Sequence, residues 1–295
     1  MPELPDIVVY IESLEAHILG QTLERVKILN PFVLRSVKPP LEEAHGKPIS
    51  SLHRLGKRIV IGLQPDYFFV IHLMIAGRLR WLEPRAKTIG KIGLASFHFS
   101  NGVLLLTEAG TKRLASLHLV KGATDLAAFD MQGLEVFDAD LNEFTARLTN
   151  VNHTLKRALT DPHSFSGIGN AYSDEILHRA KLSPIAQTQK LDAEEIARLF
   201  DATKTTLHEW TVRLRNHANG KFPEKVTAFR PEMAVHGRFG LPCPVCANPV
   251  QRIVYTDNET NYCARCQTGG VILADRALSR LLKNSWPRDI DDIGT

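Results

Sequence analysis

Four cysteines, all between positions 243 and 266 and spaced C-x2-C-x16-C-x2-C, constrain this 295-residue chain more than any other feature. Each C-x-x-C turn offers two sulfurs to one ion, and two such turns close a tetrahedral four-thiolate site. Cys243, Cys246, Cys263 and Cys266 are therefore read as ligands of one zinc ion. Four thiolates leave no open position for water, which makes the ion structural rather than catalytic. Two disulfides are the alternative, and a cytosolic chain disfavours them. Between the cysteine pairs, Val250–Tyr255 alternates like a strand. Thr256-Asp257-Asn258-Glu259 reads as a turn, and Thr260–Tyr262 as the returning strand.

The rest of the chain is ordinary globular sequence, with 44% hydrophobic and 23% charged residues. That excludes a disordered tail, a collagenous chain and a coiled coil. The length is a prior for two domains and is enough to bury a core. No run of 18 apolar residues occurs, so no transmembrane helix is expected. The longest apolar run, Phe68–Gly77, is interrupted by His72 and has the length of a strand. The opening Met-Pro-Glu-Leu-Pro-Asp has no basic stretch and is not a secretory signal, which points to the cytosol. Lys and Arg total 36 against 32 Asp and Glu, a formal charge of +4. So small an excess does not by itself indicate nucleic acid. Basic pairs do recur at Lys57-Arg58, Lys112-Arg113 and Lys156-Arg157. A phosphate-binding surface and a solvated surface of mixed charge both fit this distribution.

The pattern along the chain implies an α+β fold. Residues 5–19 read as a helix, with Pro5 suited to a first turn and Ile7, Ile11, Leu14 and Ile18 on one face. From Thr22 to about Val120 short apolar or alternating runs are divided by Gly, Pro and Asn. Arg58–Leu63, Phe68–Leu73, Ala95–Phe99 and Val103–Thr107 are examples, and together they mark a β-sandwich or barrel. Helical periodicity holds from about Asn142 to Arg215. Asn216–Glu232, rich in Gly, Pro, Asn and Lys, reads as a long mobile loop, and Ala274–Lys283 as one last helix. The expected division is an N-terminal β-sandwich domain with the first helix over 1–130, a linker over 131–149 and a helical domain over 150–235. A cysteine finger over 236–270 and an extension over 271–295 complete it.

Four ordered motifs make the reading specific: a Met-Pro start with Glu3, Gly56-Lys57, the string Gly167-Ile168-Gly169-Asn170-Ala171-Tyr172-Ser173-Asp174-Glu175, and the terminal finger. This set, over roughly residues 2–268, resembles the formamidopyrimidine-DNA glycosylase/endonuclease VIII family of base-excision repair enzymes. The resemblance implies an N-terminal β-sandwich, a helix–two-turn–helix domain and a zinc-ribbon-like β-hairpin finger. It implies a bifunctional DNA glycosylase and abasic-site lyase, acting as a monomer on damaged DNA in the bacterial cytosol or nucleoid, with no membrane partner.

Family resemblance makes Pro2 the nucleophile once Met1 is removed. An α-amine titrates near 7.7–8.0, so about one in seven is unprotonated at pH 7, against about one lysine in 2,500. A secondary amine can attack C1′ of a damaged nucleoside and give an iminium, an electron sink for elimination. Glu3 beside it is the implied proton shuttle. Lys57 is the implied contact to the sugar and its flanking phosphate. Lys156, Gly169 and Asn170 are implied DNA contacts. Glycines let a backbone approach a phosphate, and amides at a helix N-terminus point at the anion.

Several places depart from the family pattern. Asp6 stands where glutamate is usual. Asn258 stands where the finger usually carries a phosphate-gripping arginine. Ile75, Lys112 and Leu114 fall where a methionine and an arginine-phenylalanine pair usually fill the void left by the flipped base, so the wedge is aliphatic. Arg213–Glu232 does not match the usual Gly-, Ser- and Thr-rich loop over oxidised purines. These departures keep open a second reading, a lesion- or structure-specific DNA-binding protein with weak or no glycosylase activity. A zinc-ribbon interaction module unrelated to repair would leave the first 240 residues unexplained.

Overall fold

The computed structural model describes residues 1–84, 92–110, 112–224, 226–227, 229–256, 258–275, 281 and 287–292. Two units emerge, Met1–Met131 with Trp210–Thr227, and Gln132–Glu209 with Ala228–Thr295.

The first unit opens with helix α1 (Leu4–Ile18), one residue from the span expected. Strands β1 (Thr22–Leu23), β2 (Arg25–Ile28), β3 (Lys47–Leu55), β4 (Arg58–Leu63), β5 (Tyr67–His72), β6 (Gly77–Leu82), β7 (Gly93–Phe99), β8 (Gly102–Glu108) and β9 (Ser116–Lys121) follow, then a short helix α2 (Ala123–Ala127). They form two antiparallel sheets, ordered β1-β3-β4-β5-β9 and β2-β7-β8-β6. Alternation decides which side chains face in. Ile59, Ile61, Phe69, Ile71, Leu117 and Leu119 of one sheet join Phe97, Leu104, Leu106 and Leu79 of the other in a single core. Phe69 meets Phe97 edge-on across it, with ring centroids 5.2 Å apart. The α1 side chains Ile7, Tyr10, Leu14 and Ile18 complete this core.

The opposite face of the five-stranded sheet is also covered. Val60, Val70 and Val120 pack there against Leu126 and Phe129. Strand pairing sets Arg58 opposite His72, and Val70 opposite His118. Burial, aided by Arg58, Lys57 and His118, lowers the His72 pKa to about 4.

The second unit holds α3 (Leu141–Thr149), α4 (Leu155–Thr160), α5 (Asn170–Ala180) and the start of α6 (Ala193–Ala218), then β10 (Gln251–Val254), β11 (Glu259–Tyr262) and α7 (Ala264–Thr268). The stretch expected as a linker carries α3. Asp140 accepts from the Glu143 amide at 2.8 Å and Glu143 from the Asp140 amide at 2.9 Å, a reciprocal N-terminal cap. Phe144 on that helix is buried between Phe165 and Phe200.

Two expectations change. The long mobile loop expected from Asn216 is shorter, because α6 runs on through Ala218. Beyond it, Phe222 and Val226 pack into the core of the first unit rather than lying free. The helix expected over Ala274–Lys283 falls largely outside the described residues. Among those residues, no helix is long and apolar enough to cross a membrane.

The depressed His72 pKa has a consequence for folding. Between about 6.5, the ordinary histidine value, and about 4 in the fold, the unfolded chain binds a proton that folded His72 does not. Stability should therefore fall as pH drops through that window, by up to ~1.4 kcal/mol per pH unit. Urea unfolding from pH 7 to 4 should show this slope, and His72→Gln should flatten it. Equal slopes in both proteins would acquit His72.

Candidate active site, nucleic-acid contacts and metal centre

The amino end of the first unit is set by the first turn of α1. The Ile7 amide bonds the Glu3 carbonyl at 2.9 Å, and the Glu3 amide donates to Asp6 Oδ2 at 3.0 Å. Pro2 is buried and Glu3 is 2% exposed. An aspartate at position 6 therefore serves as a local cap that holds residue 3 in place. Burial lowers the pKa of the terminal amine; Glu3 raises it, Arg78 lowers it, Asp6 raises it and Lys57 lowers it. Two carboxylates and two cations thus act on one amine. Lys57 comes from the two-residue turn between β3 and β4, closed by the Leu55–Arg58 pair. Gly56 there has φ +61°, which glycine adopts without strain. The charges of Glu3 and Lys57 thus both act at the amino end of α1, where Pro2 lies. Arg78 escaped the sequence reading, since nothing in its spacing says that its charge would act on the amine.

The residues read as wedge candidates occupy adjoining turns. Leu73 O accepts from the Gly77 amide at 2.8 Å, Met74 is left-handed at φ 51°, and Ile75 stands 62% exposed at the tip. A side chain on Gly77 would place its Cβ 2.2 Å from Leu73 O, so only glycine closes this turn. Arg78 Nη1 donates to the carbonyls of Ile75 and Gly77 at 3.1 and 2.6 Å. In the neighbouring turn, buried Glu108 accepts from the amides of Leu114 and Ala115, both at 3.1 Å. Lys112 is exposed there and Leu114 is 43% exposed. A Cβ on Gly110 would lie 3.5 Å from that of Ala76, which places the two turns side by side.

In the second unit, α5 begins immediately after Gly169, preceded by Gly167 at φ 78°. Asn170 Nδ2 donates to the Glu259 carbonyl at 2.8 Å. Exposed Asn258, next to Glu259, is thereby brought to the N-terminus of α5. Lys156, an implied DNA contact, donates to Asn170 O at 2.7 Å and to Asp174 Oδ1 at 2.5 Å, with its side chain 12% exposed. His236 Nδ1 lies 2.8 Å from the other Asp174 oxygen. Glu175 accepts from the amides of Ala234, Val235 and His236 at 2.7, 2.9 and 3.0 Å. Asp174 and Glu175 belong to the Gly167–Glu175 string, but their inward roles became visible only in the fold.

The four cysteines are free thiols, which removes the disulfide alternative. Their sulfurs all lie within 4.8 Å of one another, with Cys246–Cys263 at 3.4 Å and Cys243–Cys266 at 3.9 Å. A tetrahedron with metal–sulfur bonds of 2.3 Å has edges of about 3.8 Å. The donor set therefore fits one structural zinc. The first cysteine turn is closed by the Ala247 amide on Cys243 O at 2.9 Å, with Ala247 at φ 63°. Gln267 Oε1 accepts from the Cys263 amide at 2.8 Å and steadies the second.

Three family models match in this order: the formamidopyrimidine-DNA glycosylase N-terminal domain over residues 1–116, its H2TH domain over 133–217, and a zinc finger found in FPG and IleRS over 240–269. A formamidopyrimidine-DNA glycosylase of Bacillus cereus is 30% identical over 278 residues, 90% of this chain and 99% of its own. The chain belongs to the formamidopyrimidine-DNA glycosylase family. It is a DNA repair glycosylase by that membership. A Mycobacterium tuberculosis protein, named as an uncharacterized formamidopyrimidine-DNA glycosylase-like protein, is 41% identical over 152 residues, covering 51% of this chain and 94% of its own. The crystal structure of Lactococcus lactis Fpg with DNA containing an abasic site matches with a TM-score of 0.80 at 25% identity. The match covers 90% of this chain and 99% of that one.

The finger of this glycosylase should depend on its metal. Thiolate–metal bonding is what folds so short a hairpin, so Cys243→Ser should lose zinc and DNA affinity together. Metal analysis alongside a DNA-binding titration checks this, and a metal-free protein that binds DNA at full strength would contradict it.

Proposed function

We propose that this glycosylase is bifunctional: it excises oxidised bases from DNA and then cleaves the strand at the abasic site, as a monomer, with Pro2 as nucleophile. The carrying observation is the set of charges on the terminal amine, where burial, Arg78 and Lys57 favour its neutral form against Glu3 and Asp6. Removal of Met1 would give that place to the secondary amine of Pro2.

The steps then follow from the residues. The Pro2 nitrogen attacks C1′, and the base departs with the C1′–N bonding pair and takes a proton from water. The nitrogen loses its proton to Glu3, which returns a proton to the ring oxygen as the sugar opens to the iminium. Loss of a 2′ proton expels the 3′ phosphate, and loss of a 4′ proton expels the 5′ phosphate. Hydrolysis of the imine restores the amine. Lys57, on its rigid turn, holds the phosphate beside the opened sugar. Gly167, Gly169 and Asn170 at the N-terminus of α5 hold another phosphate, favoured by the helix dipole. Such contacts fix register and carry no sequence information. Lys156, locked on Asp174, supports that turn from within, and Asn258 offers a neutral, weaker contact than an arginine would.

Borohydride should trap a covalent complex with abasic-site DNA, and Pro2→Gly should weaken trapping at least about tenfold. Intact mass fixes whether Met1 is removed, because a retained Met1 turns the Pro2 nitrogen into an amide. Trapping that survives in Pro2→Gly but disappears with a lysine variant would move the nucleophile to that lysine.

Lesion preference follows from the wedge. Aliphatic Ile75 and Leu114 hold the orphaned base less well than a stacking aromatic ring. Extrusion costs a few kcal/mol, and least where the base is already poorly stacked. Abasic sites, hydantoins and oxidised pyrimidines should therefore be processed faster than 8-oxoguanine opposite cytosine in single-turnover assays. If 8-oxoguanine opposite cytosine proves the fastest base substrate, this assignment of the wedge is wrong.

A further inference from the structure

The helix that begins at Asn170 ends on the metal centre. His178, two turns along α5, places Nε2 at 3.2 Å from Cys243 Sγ, and both residues are buried. The Val245 amide approaches the same sulfur at 3.5 Å. Cys246 and Cys266 are only half-buried, and Asn248 Nδ2 lies 3.8 Å from Cys246 Sγ.

We propose that His178 is a positioning residue of the zinc site, donating its Nε2–H to the Cys243 thiolate and joining that ligand to the DNA-binding helix. The chemistry follows from what a metal thiolate carries. Sulfur in a four-thiolate site holds excess negative charge, and an N–H donor draws on it without breaking the metal bond. The thiolate becomes a poorer base and a poorer nucleophile, and so resists protonation and electrophiles. Outer hydrogen-bond partners of metal ligands commonly tune affinity by 10–100-fold. Here the donor is fixed because α5 is held from the same side by Glu175, one turn earlier, on the amides of residues 234–236. Cys243 should then be the most protected thiolate of the four, and loss of zinc should begin at Cys246 or Cys266. None of this requires Pro2 chemistry, so the inference goes beyond the strand-cleavage reading.

Two variants separate hydrogen bonding from packing. His178→Leu fills much of the space without a donor, whereas His178→Gln can offer an amide N–H near the position of Nε2. Zinc release to a chromophoric chelator should be about tenfold faster or more in His178→Leu and near the parent rate in His178→Gln. Alkylation with N-ethylmaleimide, mapped by mass spectrometry, should reach Cys243 early only in His178→Leu. In the cobalt-substituted protein, the thiolate-to-metal charge-transfer band should shift in His178→Leu and be restored in His178→Gln. If the two variants match the parent in all three readouts, the proposal fails. If both lose zinc equally with no change in the cobalt band, His178 is only packing, and the proposal fails as well.

Discussion

Two adjacent carboxylates on α5 hold the second unit together. Glu175 collects three successive backbone amides, from residues 234 to 236, that would otherwise be buried without partners. Each orphaned amide would cost about 1–3 kcal/mol. Asp174 divides its two oxygens between Lys156 and His236. Burial raises the carboxyl pKa of Glu175, the three amides oppose it, and the adjacent Asp174 charge adds to the rise. A buried carboxylate is tolerable only with that many donors. The result is one helix whose N-terminus, middle and end meet β11, the approach to the finger, and Cys243.

This arrangement explains how a short hairpin can hold a precise shape. Two strands of four residues have little core of their own, and a lone hairpin of that size is marginal in water. Here the finger is fixed at one end by the four sulfurs and along its length by α5. The Asn170 amide bridges to the Glu259 carbonyl, so the helix turn and the hairpin turn are positioned by the same bond. Asn258 can give up the arginine's charge without disturbing that geometry, because Tyr255 holds the turn through its own amide on Asn258 O at 2.8 Å.

In the first unit the organising constraint is the double sheet. Its register brings Lys57, on one turn, and Arg78, at the start of β6, to bear on the amine at the head of α1. Burial there favours a neutral amine, and two carboxylates keep the local charge from becoming strongly positive. Arg78 also ties the carbonyls of the turn that carries Ile75. One arginine therefore links the electrostatics of the amine to the shape of that turn.

The sequence by itself determined whatever depends on spacing within a turn or a strand. Cysteine intervals fixed the zinc site, alternation fixed β4 to its exact ends and most neighbours to within two residues, and Gly167-x-Gly169-Asn170 marked the start of a helix. The Met-Pro-Glu opening and Gly56-Lys57 marked a candidate amine and a cation, and the fold lets that cation act on the terminal amine. Only the tertiary structure decided which distant groups meet. Glu175 and His178 reach partners about sixty residues away, and Lys156 reaches Asp174 on the next helix. Such pairings depend on how helices dock and strands register, and chain spacing does not record either. The loop after α6 was misjudged for the same reason: its Gly, Pro and Lys content signals a turn, while the packing of Phe222 and burial of Val226 depend on a core built elsewhere.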